Sequence, residues 1–199
     1  MVGDGEKRVT SNAARIVRSK KVYDGYASVT RVTLAGADGV EHDREVVSFG
    51  QSACILPYDP ARGVALVIRT PRAPLLLQGF ESSLVEAPAG MIDPGETPEA
   101  AARREALEET GLKVRELDAV GACFPSPGVV AERCHLFLAA YGPGDRIGMG
   151  GGVAHEHEAI VAEEIVLAEL GGLAAAGGLC DLKTLTLVLA LQLRLPHLF

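Results

Sequence analysis

Glu105, Glu108 and Glu109 are spaced so that a helix would gather them, because residues three and four apart share one helical face. Like charges that close repel one another, and a divalent cation is the simplest group that would offset them. Carboxylates with no His or Cys beside them favour a hard ion, Mg2+ or Mn2+, over zinc. Arg104 stands four residues before Glu108, within reach of its carboxylate. Charge spacing alone more often marks a solvated acidic face.

The elements that would carry these residues are a loop and a helix. Gly90, Asp93, Pro94 and Gly95 are turn formers and breakers. Thr97 occupies a natural N-cap, and Pro98 the first helical position, where its missing N–H is not needed. Good helix formers run from there to Thr110, and Gly111 supplies the stop. The whole stretch, GMIDPGETPEAAARREALEETGL at 90–112, fits G-x5-E-x7-R-E-U-x-E-E-x-G-U, the Nudix box. Gly90, Glu96, Arg104, Glu105, Glu108, Glu109, Gly111 and Leu112 are all in register, with Ala106 smaller than the aliphatic residue often found there. The chain therefore resembles the Nudix hydrolases.

Composition agrees. A chain of 199 residues with 48% hydrophobic content suits one domain, or one domain with an appendage. A net charge of −7 and the lack of a basic tract argue against nucleic acid as a partner, though not against a nucleotide. No apolar run long enough to span a bilayer occurs, and MVGDGEKRVT lacks the apolar core of a signal peptide. Cys54, Cys123, Cys134 and Cys180 form no CxxC pair and read as buried, reduced thiols. A soluble protein of the cytoplasm, without membrane contact, is expected.

In chain order, alternation and β-branched residues predict three strands at 13–24, 27–35 and 42–49, with a turn at Ala37-Asp38-Gly39. This half-polar antiparallel unit, residues 1–50, buries little alone and is expected to pack on the main domain or a second subunit. The main domain, 51–199, is predicted to hold strands at 52–58 and 63–69, a mostly loop stretch at 70–82, and a strand at 83–90 that runs into the box helix. Strands at 114–124, 132–141 and 158–167 and two C-terminal helices follow. Residues 142–159 form a long glycine-rich loop, functional or disordered. The order of elements suggests an α/β protein with a mixed sheet between helical layers, which matches the α/β/α sandwich the resemblance implies.

The flanks VEAPAGMID and FPSPGVVAE look like the Nudix branch that cleaves nucleoside diphosphate sugars, chiefly ADP-ribose, where a proline stands where Pro127 does. The three-strand unit resembles that branch too; there it is exchanged across a homodimer and helps build the pocket. GGGV at 150–153 and DLKT at 181–184 are similar to bacterial GDP-mannose hydrolases of the same branch. The resemblance implies a small nucleotide-sugar substrate and two or more Mg2+ (or Mn2+) ions. Glu105, Glu109 and the carbonyl of Ala89 would ligate metal, with Glu96 and Glu108 supporting. Glu156 would be the general base, with Glu158 and Glu108 as alternatives, and Glu158 would otherwise be a further ligand. His155 and His157 flank them and could serve as base or ligand, though the match favours the glutamates. Arg72 is the better match to a phosphate-binding arginine, with Arg69 second, and Glu86 and Pro127 complete the substrate contacts. Tyr23, Tyr26 and Phe80 are candidates to stack on the base. The expected reaction is ADP-ribose to AMP and ribose 5-phosphate, with GDP-mannose the alternative and a non-catalytic nucleotide-sugar sensor the reading from another class.

Overall fold

The computed structural model describes residues 14–81, 83–152 and 159–199. The chain divides into two units. One comprises the chain up to Phe49 together with Ser126–Ala131; the other comprises Gly50–Pro125 and Glu132–Phe199.

The first unit is an antiparallel meander of β1 (Arg15–Asp24), β2 (Ser28–Ala35) and β3 (Glu41–Ser48). The expected turn is present: Gly39, at φ 77°, donates to the carbonyl of Gly36, and the Asp38 side chain accepts from the amide of Val40. Nearly every residue of β1 is exposed, whereas β2 buries Val32, Thr33 and Ala35. The short Ser126–Ala131 segment extends this sheet. Val47 donates to the carbonyl of Val129 (2.8 Å) and accepts from the amide of Ala131 (2.9 Å).

The second unit is built on β4 (Gln51–Asp59), β5 (Val64–Arg69), β6 (Ala89–Met91), β7 (Asp118–Cys123), β8 (Arg133–Ala140) and β9 (Val161–Val166), in the order β7-β8-β4-β5-β9 with β6 pairing β4. β4 and β8 run parallel and the other pairs antiparallel, so the sheet is mixed. Its helices are α1 (Ala73–Leu77), α2 (Pro98–Thr110), α3 (Leu167–Ala175) and α4 (Leu182–Arg194). Strand β4 shows why two layers form. Side chains alternate across a strand: Ala53 and Ile55 pack with Ala101, Ala102 and Ala106 of α2, while Cys54 and Leu56 pack with Leu187, Val188 and Leu191 of α4. The result is the expected α/β/α sandwich.

β4 and β5 are paired only near their turn, at Tyr58–Ala65 and Asp59–Val64, and then diverge. The segment Glu86–Met91 fills the fork. Glu86 exchanges backbone hydrogen bonds with Ile68 on one side (2.8 and 3.0 Å). The carbonyl of Pro88 accepts from Ile55 on the other side, where Ala89–Met91 pair with Ser52–Cys54. The strand predicted at 83–90 is thus corrected to one bridge and a three-residue strand. Its backbone is shared between two partners, and Pro88 has no N–H to donate. The stretch at 70–82, expected to be mostly loop, also holds the five-residue α1, since Pro74 lies in the first turn, where proline is tolerated. Nor are all the thiols buried. Cys54 and Cys134 are, Cys123 is half-buried and cross-strand partner to Cys134, and Cys180 is exposed. Among the described residues, no helix is long and apolar enough to cross a membrane.

Candidate active site

α2 begins and ends as its sequence dictates. The Thr97 side chain accepts from the amide of Ala100 (3.2 Å), Pro98 opens the first turn, and Gly111 closes the helix at φ 73°. Three alanines on the sheet-facing side let the helix lie close against β4 and β8. Ala106 is completely buried there, so the small residue at that box position belongs to the helix–sheet contact. That closeness carries two carboxylates inside, with Glu105 8% and Glu109 4% exposed.

The fork segment lies against the same helix. The amide of Ala89 donates to Glu109 Oε2 (3.0 Å). At Gly90 a Cβ would fall 1.8 Å from Glu105 Oε1 and 2.2 Å from Cδ. Glycine is therefore needed for the approach of the carboxylate, not for an unusual backbone angle.

Arg104 organises the remaining acids, and more of them than the i, i+4 spacing foretold. Its Nε and Nη2 donate to both oxygens of Glu96 (3.1 and 3.0 Å), Nη1 donates to Glu105 (2.6 Å) and Glu108 (3.2 Å), and Nη2 also reaches the carbonyl of Met91 (2.8 Å). The bidentate Arg104 contact holds the Glu96 carboxyl below the usual carboxylate range, against the opposing effect of desolvation.

Glu96, Glu105, Glu108 and Glu109 bring four negative charges and Arg104 one positive, leaving an excess of three (4 − 1) on a partly buried helix face. Such a set of hard oxygen donors suits a divalent cation. Among the described residues, no three His, Cys, Asp or Glu side chains converge closely enough to form a cation cage by themselves. Glu156, Glu158, His155 and His157 lie outside the described residues.

The predicted substrate residues are placed as follows. Arg72 and the buried Glu86 form a bidentate pair, Nε to Oε1 at 2.8 Å and Nη2 to Oε2 at 3.0 Å. Arg69 instead donates to Glu163 of the neighbouring β9 (2.6 Å). Pro127 belongs to the segment that extends the first unit's sheet. Tyr23, Tyr26 and Phe80 are all exposed.

Two supports escaped sequence reasoning. In DLKT, Asp181 caps α4 by accepting from the Thr184 amide (2.9 Å) and hydroxyl (2.7 Å), and the same hydroxyl accepts from the amide of Ala87 (2.7 Å). The start of α4 is thereby tied to the residue after Glu86. Asp-x-x-Thr before a leucine-rich run is a capping signal that could have located the helix start, though not its partner. At the β4–β5 turn, Arg62 holds Asp59 (2.6 Å) and both oxygens of Glu164 (2.8 Å each), and Tyr141 donates to Glu164 (2.9 Å).

A NUDIX domain model matches residues 49–174. The chain is 36% identical over 184 residues to a GDP-mannose pyrophosphatase of Cronobacter sakazakii, covering 90% of this chain and 95% of that protein. The chain belongs to the NUDIX family. A GDP-mannose pyrophosphatase of Citrobacter koseri is 34% identical over 183 residues, 89% of this chain and 94% of that one. An Escherichia coli O1:K1 protein of the same name is 36% identical with equal coverage. Among solved structures, an ADP compounds hydrolase superimposes with a TM-score of 0.74 at 20% identity, covering 92% of this chain and 95% of that one, a likeness of fold. In this Nudix chain the box lies wholly inside the matched span, and the first three strands precede it.

Proposed function

We propose that this Nudix hydrolase cleaves the pyrophosphate linkage of a nucleoside diphosphate sugar with the aid of Mg2+ or Mn2+, and that GDP-mannose is its substrate. The observation that carries the reaction is the gathering of Glu105 and Glu109 under the Ala89–Gly90 segment, with Arg104 fixing Glu96 and Glu108 alongside. The relatives named GDP-mannose pyrophosphatase, 34–36% identical over 89–90% of the chain, support that substrate. ADP-ribose is the second reading, favoured by VEAPAGMID and by Pro127.

Nudix proteins generally use a divalent cation such as Mg2+. Glu105, Glu109 and the carbonyl of Ala89 would hold it, in two or more ions by the family resemblance. Bound there, the cation would neutralise the pyrophosphate and acidify a water. Arg104 keeps Glu96 and Glu108 oriented toward the same face. Arg72, steadied by Glu86, offers planar donors to phosphate oxygens. Proton removal from the attacking water falls to Glu156, with Glu158 a further ligand. A homodimer built through the N-terminal strands is part of the same reading, and a light-scattering mass of one chain at micromolar concentration would refute it.

The deciding experiment measures phosphate release from a panel of nucleotide sugars with Mg2+, coupled to a phosphatase that acts only on the products. GDP-mannose turning over best supports the proposal, and ADP-ribose turning over best restores the second reading. No turnover with cation bound would overturn the enzymatic reading in favour of a sensor.

A further inference from the structure

The glycine-rich run after β8 closes the C-terminus of α2. The last four carbonyls of a helix have no partners within it, and here those of Glu108 and Glu109 carry the box carboxylates' own backbone. Gly152 donates to the carbonyl of Glu108 (3.0 Å), Gly151 to that of Glu109 (2.9 Å), and Ile147 to that of Gly111 (2.9 Å). Gly111 and Leu112 satisfy Leu107 (2.9 Å) and Ala106 (3.2 Å), so four consecutive carbonyls, 106–109, all have partners.

Glycine is required on both sides of this contact. A Cβ at Gly150, φ 69°, would meet the Glu109 carbonyl oxygen at 2.3 Å and Thr110 Cα at 2.6 Å. A Cβ at Gly111 would meet the carbonyl oxygen of Gly148 at 2.1 Å. All of these neighbours are backbone and cannot swing aside.

We propose that Gly148–Gly152 is a positioning strap: by capping Glu108 and Glu109 it fixes the last turn of α2 and with it the cation-binding placement of Glu109. The proposal rests on the reading of Glu109 as a metal ligand. It also gives the run a role in place of a slack loop, because the chain that leads to Glu156 and Glu158 departs from a residue already hydrogen-bonded to Glu108.

The test is Gly150→Ala in the full chain, beside Gly177→Ala, a glycine at φ 74° with open space around it. Mn2+ binding is read by electron paramagnetic resonance, and kcat and KM are read with Mg2+. Gly150→Ala is expected to weaken Mn2+ binding about tenfold or more, the effect typical of lost outer support. It should lower kcat roughly tenfold to a hundredfold, as misplacement does, with KM nearly unchanged. Gly177→Ala should lose stability from backbone strain while keeping both. If Gly150→Ala destabilises like Gly177→Ala but keeps Mn2+ affinity and kcat, the strap is structural only and the proposal fails. Should Gly150→Ala not fold, hydrogen exchange of the Gly151 and Gly152 amides in the unaltered protein decides. Slower exchange with Mn2+ than without supports the strap, and equal rates overturn it. Glu109→Gln separates the layers: if it still binds Mn2+, the ligand reading itself has failed.

Discussion

α2 and α4 are both thirteen residues long, are each opened by a side-chain cap, and lie on opposite faces of one sheet, yet they bury different things. α4 presents Thr184, Leu187, Val188 and Leu191 to the core, a stripe at i, i+3, i+4 and i+7 dominated by aliphatic bulk. α2 presents three alanines, two glutamates and Thr110. Leucines contribute apolar area, each worth roughly 1.5–3 kcal/mol when fully buried. Alanines contribute proximity, so that a helix backbone can bring carboxylates against a neighbouring strand. On the proposed function, the two faces of the sheet thus divide stabilisation from chemistry.

That division can be broken in order of expected effect. Glu109→Gln should lower turnover by more than about a hundredfold while leaving the thermal melt in place; unchanged turnover would remove Glu109 from the chemistry. Leu187→Ala should cost about 2–5 kcal/mol in urea unfolding, yet activity per folded molecule should stay near that of the unaltered protein. Activity falling more steeply than the folded fraction would show that the faces are not separate. Thr184→Val, which leaves the Ala87 amide without its hydroxyl, should cost about 1–3 kcal/mol and raise KM through the adjacent Glu86–Arg72 pair. Thr184→Ser should restore both, and an unaltered KM would confine Thr184 to the apolar face.

The mildest test is acid. Burial raises Asp181, but Lys183 and the two Thr184 hydrogen bonds outweigh it, and its carboxyl ends below the ordinary range. A carboxylate depressed in the folded state contributes stability that is complete above its unfolded pKa, about 4, and disappears as pH falls through the lower folded value. The urea midpoint should therefore decline below about pH 4, and Asp181→Asn should flatten that decline. An equal slope in both proteins would remove Asp181 as a contributor.

Much of this organisation is legible in the sequence because it is local. Thr97, Pro98 and Gly111 delimit α2 from neighbours a few residues away, and β-branched alternation places β1 to β3. The buried run at 52–58 reads as a strand because both its faces are covered, by α2 and by α4. What escapes the sequence is pairing at a distance. Nothing in SLVEAPAG says that its backbone will be shared between β4 and β5. Nothing in GMGGG says that its amides will find Glu108 and Glu109, since glycine runs read as slack until their partner is known. Arg104 is intermediate: helical spacing reveals Glu108, but the bidentate hold on Glu96 needs the loop to fold back.

The alliance of Val47 with Val129 and Ala131 has a consequence for synthesis. A ribosome delivers β1, β2 and β3 in sequence, but the outer edge of β3 receives these backbone bonds only after Ala131 has emerged. Until then the nascent sheet presents an open edge, the feature that invites pairing with other chains. A fragment ending soon after Phe49 would keep that edge permanently, and should aggregate more readily than the full chain.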